Sequence, residues 1–196
     1  MGQLRCLIPI RFAIPEVTVR NVLVVACVTA MLGFGFVLDA ATPRHPPPSV
    51  TDLAARKPAP PLSLKDSNKK TIRLSDYKGR VVLVDFWATW CTGCKLEMPW
   101  FIEFEKKYRD KGLSAIGVSV DDGWRPVKTY LAEHPISYPI VLGDMDVLEK
   151  TFRLPASLPV TLLIDRRGRI ASTHAGVVER EKFEAEIRQL LEERAR

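Results

Sequence analysis

Cys91 and Cys94 stand two residues apart and are the side chains best suited to carry chemistry in this 196-residue chain. They follow an apolar run and open a segment with helical periodicity. Cysteine reacts as the thiolate, and the N–H groups and dipole at a helix N-terminus stabilise that negative charge. We therefore predict a redox pair in which Cys91, at the exposed end, attacks a substrate disulfide. Cys94, one turn deeper, resolves the mixed disulfide.

A metal site is the main alternative for the same two thiols. A structural zinc site needs four ligands, and beyond the pair the chain offers only His45, His134 and His174 as nitrogen ligands. The other cysteines, Cys6 and Cys27, lie near the N-terminus, so the four do not form a disulfide framework. We predict no metal site, although soft thiolates suit Cu(I) and a copper-binding or metallochaperone module stays open.

The elements around the pair indicate how it is positioned. Residues 81–86, VVLVDF, form a near-continuous apolar run, which is typical of a strand buried on both faces of a parallel sheet. The following helix is predicted from about Cys91 to Arg109. Upstream, Leu62–Asp66 and Thr71–Leu74 flank the turn Ser67–Lys70 and predict a β-hairpin.

Strands and helices alternate along the rest of the chain, which predicts an α/β fold built from βαβ units with an αβ insertion in its centre. The predicted elements are strand Leu113–Val120, helix Pro126–His134, strand Pro139–Leu142, helix Met145–Phe152, strand Val160–Ile164, strand Arg169–Ala175 and helix Glu181–Glu193.

The segment Val22–Leu38 is apolar and carries no charge. As a helix it would span roughly 25 Å, close to the ~30 Å hydrocarbon core of a bilayer. We predict one transmembrane anchor helix at 22–38, with cleavage as a signal peptide or lipid attachment at Cys27 as alternatives. Arg5, Arg11 and Arg20 precede the run and place residues 1–21 in the cytoplasm, so the rest is exported.

Residues 39–61 are rich in proline, which favours an extended conformation and opposes helix. We predict a semi-rigid stalk over 39–61 and a folded domain over 62–196, held off the inner membrane by a single-pass anchor.

Composition excludes some functions. Hydrophobic residues make up 46% and charged residues 27%, as in globular proteins. The formal net charge is +6, but the charges alternate in sign and no basic stripe with aromatic residues indicates a nucleic-acid surface. The chain contains no nucleotide-binding or flavin motif, so the dithiol itself is the expected redox cofactor. We expect a monomer.

Residues 81–99, VVLVDFWATWCTGCKLEMP, resemble the active-site segment of the thioredoxin superfamily. More narrowly, they resemble the membrane-anchored TlpA/ResA-like reductases, some of which serve cytochrome c maturation. The resemblance extends over about Pro58–Leu191. It implies a thioredoxin-like fold with an N-terminal β-hairpin and a central αβ insertion, and the activity of a thiol–disulfide oxidoreductase.

The resemblance also implies roles for two acids and a proline. Asp85 matches the buried acid that assists proton transfer at the deeper cysteine, and burial should raise its pKa. Glu97 matches the active-site glutamate of the ResA-like branch. Pro159 matches the cis-proline that lies against the cysteine pair, with Pro155 as a less favoured candidate. An acid with a purely local hydrogen bond is the alternative for Asp85, and an ordinary helical acid for Glu97.

Substrate contacts are implied next to these positions. The backbone of Leu158 would pair with bound substrate as an added strand. Trp90 matches an aromatic residue beside the site, and Trp87 and Pro99 match flanking positions whose role is packing or a helix kink. Thr92-Gly93 departs from the commoner proline-containing dipeptides, which leaves the redox potential open.

These features predict an extracytoplasmic reductase of protein disulfides. The implied clients are apocytochrome c or another metalloprotein, such as a copper-site protein, and the electrons would come from a membrane thiol transporter. A disulfide-forming oxidant is the nearest alternative, although Leu113–Leu158 has room for only a short αβ unit. A peroxiredoxin is a further alternative, but Ala88 occupies the position where the peroxidatic signature has Thr or Ser.

Overall fold

The computed structural model of the protein describes residues 50–193. These residues form seven strands, three α-helices and short helical turns. The strands are β1 (Ser63–Lys65), β2 (Thr71–Arg73), β3 (Val81–Trp87), β4 (Leu113–Ser119), β5 (Ile140–Leu142), β6 (Val160–Ile164) and β7 (Ile170–Ala175). The helices are α1 (Thr92–Tyr108), α2 (Trp124–Glu133) and α3 (Arg180–Glu192).

The main sheet has five strands in the order β5-β4-β3-β6-β7. β3 pairs in parallel with β4, and β4 with β5, whereas β6 is antiparallel to both β3 and β7. β1 and β2 form the predicted antiparallel hairpin, which a single backbone bridge between Asp66 and Val141 places beside β5. The predicted α/β architecture, with its hairpin and its central αβ insertion, is confirmed.

Every residue of the central strand β3 is buried, because both faces of the sheet are covered. Val82, Val84 and Phe86 point to one layer of the core, which also holds Ile72 of the hairpin. Leu83 and Trp87 point to the other layer, which contains the apolar faces of α1 and α3. Since side chains alternate along a strand, Asp85 lies on the face covered by α1 and α3.

The bounds of the predicted elements differ from the observed ones by no more than two residues, and one element differs in type. The predicted helix Met145–Phe152 is instead a short π-helical turn over Val147–Thr151, in which the N–H of Phe152 bonds to the carbonyl of Val147. The wider turn buries both Leu148 and Phe152, and the ring of Phe152 packs edge-on against Phe86 with centroids 5.3 Å apart.

Residues 50–61, here called the strap, correct the predicted domain boundary. The N–H of Thr51 bonds to the carbonyl of Ala171 at 2.8 Å, and the N–H of Ile170 bonds to the carbonyl of Lys57 at 2.9 Å. Proline opposes helix but allows an extended chain, and an extended chain can lie along the edge of β7. The assignment of 50–61 to a free stalk is therefore wrong, and the folded domain includes Val50.

A buried ionic cluster, here called the clasp, fixes the strap. The guanidinium group of Arg56 lies 3.2 Å from Asp165 and 2.6 Å from Glu193, and its Nε donates to the carbonyl of Thr51 at 2.8 Å. Asp165 follows the strand β6, and Glu193 follows α3. The clasp thus joins the beginning of the described chain to its end.

The predicted cytoplasmic segment 1–21, the predicted anchor 22–38 and the first part of the predicted stalk lie outside the described residues. Within residues 50–193, no helix has the length and apolarity that crossing a membrane requires.

Candidate active site

Cys91 and Cys94 form a disulfide at the start of α1, with their Cα atoms 5.4 Å apart. Cys91 is the N-cap of the helix, and its sulfur accepts a hydrogen bond from the N–H of Cys94 at 3.1 Å. Cys91 is 6% exposed, whereas Cys94 is fully buried. The predicted placement of the pair, with Cys94 deeper than Cys91, agrees with this geometry, and N–H donors at the cap stabilise a Cys91 thiolate.

The loop that leads from β3 into the disulfide is held by Asp121, which sequence reasoning missed. Its carboxylate accepts hydrogen bonds from the N–H of Thr89 at 2.9 Å and from the Thr89 hydroxyl at 2.6 Å. The hydroxyl of Ser119 donates to the same carboxylate at 2.8 Å. The carboxyl ends of the neighbouring parallel strands β3 and β4 meet at one edge of the sheet, so an acid directly after β4 was the available signal.

Asp85 lies in the middle of β3 and is 1% exposed. Neither of its carboxylate oxygens has a hydrogen-bond partner among the described residues. Burial raises its pKa well above the ordinary value, and the negative charge of nearby Glu97 raises it further. The predicted burial and raised pKa are confirmed, and a role in proton transfer at Cys94 stays a prediction.

Glu97 is the second buried acid, one turn after Cys94 in α1. Its Oε1 accepts a short hydrogen bond from the N–H of Val178, while Oε2 has no partner among the described residues. Burial raises the pKa of Glu97, the bond from Val178 and the charge of His174 oppose that rise, and the resulting pKa is about 7. Glu97 can therefore take up or release a proton near neutral pH.

The loop before β6 lies against Gly93, between the two cysteines. The Leu158–Pro159 peptide bond is cis, as the resemblance implied, and Pro159 is buried. A methyl group at Gly93 would lie 3.2 Å from Cδ of Pro159 and 3.0 Å from Cγ2 of Val177. Glycine between the cysteines therefore lets the Pro159 loop approach the helix start closely.

The match with known proteins agrees with this geometry. The profile of the AhpC/TSA family covers residues 55–173. The chain is a member of the AhpC/TSA family. It is 31% identical over 134 residues to the thiol-disulfide oxidoreductase ResA of Bacillus thuringiensis, an alignment that covers 68% of this chain and 77% of that protein. It is 34% identical over 121 residues to ResA of Bacillus subtilis, with 61% and 66% covered.

Solved structures give the same result for this AhpC/TSA member. The thioredoxin domain of a thiol-disulfide oxidoreductase from Bacteroides vulgatus is 26% identical to it, with a TM-score of 0.62 and with 71% of this chain and 99% of that chain covered. The predicted resemblance and thioredoxin-like fold are confirmed, and the protein is a thiol–disulfide oxidoreductase. At the position where a peroxidatic signature has a hydroxyl, this AhpC/TSA member has the fully buried Ala88.

The surface around the disulfide exposes large apolar side chains to solvent. Trp90 is 66% exposed and Val177 is 48% exposed. Thr92 is exposed, and Leu158 is half-buried. These residues and Gly93 include all the positions that the sequence predicted to contact substrate, and Val177 is an addition. Because large exposed apolar side chains favour contact with a partner, this surface suits a protein substrate.

The described residues contain no group of three or more His, Cys, Asp or Glu side chains arranged to hold a metal ion. The buried carboxyl groups of Asp85 and Glu97 approach no cationic side chain within salt-bridge distance in this part of the chain. The chemistry that this arrangement supports is proton transfer beside a dithiol.

Proposed function

We propose that this oxidoreductase is a reductase of protein disulfides that acts on the extracytoplasmic side of the inner membrane. Its cofactor is the Cys91–Cys94 dithiol itself, and it acts as a monomer. In the first step, the Cys91 thiolate attacks one sulfur of a client disulfide, and the other client sulfur leaves as a thiolate that takes a proton. A mixed disulfide between Cys91 and the client results.

In the second step, Cys94 loses its proton to a buried carboxylate and attacks the sulfur of Cys91. The bond between Cys91 and the client breaks, and the second client sulfur leaves as a thiolate and is protonated. The client gains two electrons and the enzyme becomes the disulfide. Asp85 is the proton acceptor in this scheme, with Glu97 adjusting its charge, and Pro159 and Leu158 align the client chain across the disulfide.

The observation that carries the reductase assignment is the pair of buried acids, Asp85 and Glu97, without a cation bound to either. A strong oxidant is one whose thiolate form is well stabilised. Negative charge in the interior has the opposite effect, because it disfavours the thiolate. Lys95 stands next to Cys94 in the sequence but is exposed, so solvent screens its charge. The disulfide is therefore comparatively stable, and the dithiol is a good electron donor.

The location rests on the sequence before the domain. The apolar run Val22–Leu38, with arginines on its N-terminal side only, supports a single-pass anchor with the catalytic domain facing the periplasm. The apolar surface at Trp90 and Val177 suits an extended protein client. We include apocytochrome c and copper-site proteins in that class, and a membrane thiol transporter as the electron donor.

The reduction potential of the full-length protein, equilibrated with a glutathione buffer, tests the proposal. We expect a value nearer the ~−270 mV of thioredoxin than the ~−120 mV of a strong oxidant. A value above about −180 mV would overturn the reductase and favour the disulfide-forming oxidant.

The client can be identified with Cys94→Ser, which lacks the resolving thiol and should accumulate a mixed disulfide through Cys91. The matched control is the double variant Cys91→Ser, Cys94→Ser. Covalent complexes with exported proteins in the single variant are expected. Equal yields from the two variants would contradict the two-step exchange.

A further inference from the structure

Three neighbouring strands carry polar residues in one row across the sheet. Asp85 of β3 pairs with Thr161 of β6, and Thr161 pairs with His174 of β7. Directly paired residues point to the same face, and neighbouring strands lie about 4.8 Å apart. Two steps of that size therefore lead from the buried acid to the imidazole, beneath the helices α1 and α3.

Exposure rises along this row. Asp85 is 1% exposed and Thr161 is fully buried, whereas the side chain of His174 is 23% exposed. The carboxylate oxygens of Asp85 and the hydroxyl of Thr161 have no hydrogen-bond partner among the described residues. A buried polar group without a hydrogen-bond partner is unfavourable, so the two neighbouring ones at Asp85 and Thr161 call for an explanation. The row ends at a group that reaches solvent.

His174 is held in a fixed orientation at the end of the row. Its Nε2 lies 2.8 Å from Oε2 of Glu186, which also accepts a hydrogen bond from the hydroxyl of Ser172 at 2.7 Å. The edge of its ring packs against Phe183, with centroids 5.3 Å apart. An imidazole takes up and releases protons near neutral pH, and a neighbouring carboxylate orients it for that task.

A groove of about 370 Å³ opens at His174. Val178 lines this groove, and its N–H is the donor to Glu97. Three charged groups line the groove with His174, and they are Glu179 at the start of α3 and Lys182 and Glu186 from α3. Glu97 from α1 interacts electrostatically with His174.

We propose that His174 exchanges protons between solvent and the buried carboxyl groups of Asp85 and Glu97, with the hydroxyl of Thr161 between Asp85 and His174. The proposal rests on the proposed function of Asp85 as the proton carrier of Cys94. When a donor thiolate attacks Cys91, the bond between the two sulfurs breaks and its electron pair goes to Cys94. The Cys94 thiolate takes a proton from Asp85, and the Asp85 carboxylate regains one from solvent through Thr161 and His174.

The test follows the reduction of the Cys91–Cys94 disulfide by a high concentration of dithiothreitol, with full-length protein in weak buffer across pH 6–8. We expect His174→Gln to react about tenfold more slowly than the unaltered protein, less than the ~100-fold typical of a group that transfers the proton directly, because His174 acts through Asp85. Added imidazole should restore the rate, because the groove admits a small molecule. His134→Gln is the matched control, since His134 is exposed, stacks on Tyr130 and lies outside the row.

Thr161 gives an independent variant pair. Thr161→Val removes the hydroxyl while keeping the shape, and should slow the reaction, whereas Thr161→Ser keeps the hydroxyl and should not. The proposal would be overturned if His174→Gln and Thr161→Val both reacted as fast as His134→Gln. It would also be overturned if added imidazole did not restore the rate of His174→Gln, or if Thr161→Ser were as slow as Thr161→Val. Because dithiothreitol replaces every protein partner, these outcomes do not depend on the client or on the cellular location.

Discussion

Asp85 lies in β3, and Asp165 directly follows the neighbouring strand β6. The two carboxyl groups are almost equally buried, at 1% and 4% exposure, yet their pKa values shift in opposite directions. Asp165 accepts hydrogen bonds from the backbone N–H groups of Arg167 and Arg169 and lies 3.2 Å from Arg56. Burial alone would raise its pKa, but these donors outweigh burial and lower the pKa. Asp85 has no such donor, and its pKa rises.

The opposite pKa shifts distinguish Asp165, which stabilises the fold, from Asp85, for which we propose proton transfer. Ionised Asp165 stabilises the clasp, and this contribution is present above the ordinary pKa of aspartate and is lost as the pH falls through the lowered value. The pair Asp85 and Glu97 behaves in the reverse way. A carboxyl with a raised pKa disfavours the fold as the pH rises from its ordinary pKa to the folded one. This penalty falls on the two acids that we propose for proton transfer with Cys94.

The largest expected effect is on the clasp. Arg56→Met removes the cation that binds Asp165 and Glu193, and leaves buried negative charge with less compensation. We expect the free energy of unfolding at pH 7 to fall by about 4 kcal/mol, as measured by urea denaturation. Lys57→Met, which changes an exposed cation in the same strap, is the control and should cost under about 0.5 kcal/mol. Equal losses of unfolding free energy in Arg56→Met and Lys57→Met would contradict the stabilising role of the ion pair between Arg56 and Asp165.

Glu97→Gln should act in the opposite direction. Burial raises the pKa of Glu97 from 4.5 to about 7. We expect the variant to be up to about 3 kcal/mol more stable than the unaltered protein at pH 8. At pH 4 we expect nearly equal stability, because the Glu97 carboxyl of the unaltered protein is then mainly protonated in both the folded and the unfolded state. Urea denaturation at the two pH values measures this. Glu103→Gln, an exposed position on the same helix, should show no gain, and a gain of Glu97→Gln that is the same at both pH values would disprove the ionisation argument.

Asp85→Asn should slow one step of the exchange and leave the other. Reduced protein treated with Ellman's reagent releases one thiolate when Cys91 attacks and a second when Cys94 resolves the adduct. We expect the second release to slow by about tenfold at pH 7, less than the ~100-fold typical of a single general base, because Glu97 remains nearby. The first release is the internal control. Slowing of both phases to the same extent would show that Asp85 acts on Cys91 or on the fold.

The sequence predicted those parts of the molecule that depend on local pattern. The run VVLVDF gave β3, and the cysteine spacing gave the helix start, because burial and helical periodicity are written in neighbouring residues. Asp85, Glu97 and Pro159 were identified through the resemblance to the thioredoxin superfamily. The structure places Glu97 on the disulfide helix, Asp85 on β3 and Pro159 in the loop before β6.

Partners far apart in the sequence could not be predicted in this way. Arg56 lies 109 residues from Asp165 and 137 from Glu193. The prolines of the strap showed that it forms no helix, but not that it packs against β7. The pairing of His174 with Thr161 was missed for the same reason, since only the register of the sheet brings the two residues together.

Both edges of the five-stranded sheet are covered by residues that precede β3. The hairpin is bridged to β5 through Asp66 and Val141, and the strap is bridged to β7 through Pro58 and Arg169. An uncovered strand offers its unpaired N–H and carbonyl groups to other chains and promotes aggregation. The segment before β3 therefore protects the two sheet edges from pairing with other chains, and a fragment beginning at Leu62 would expose the backbone of β7 even though its catalytic cysteines were intact.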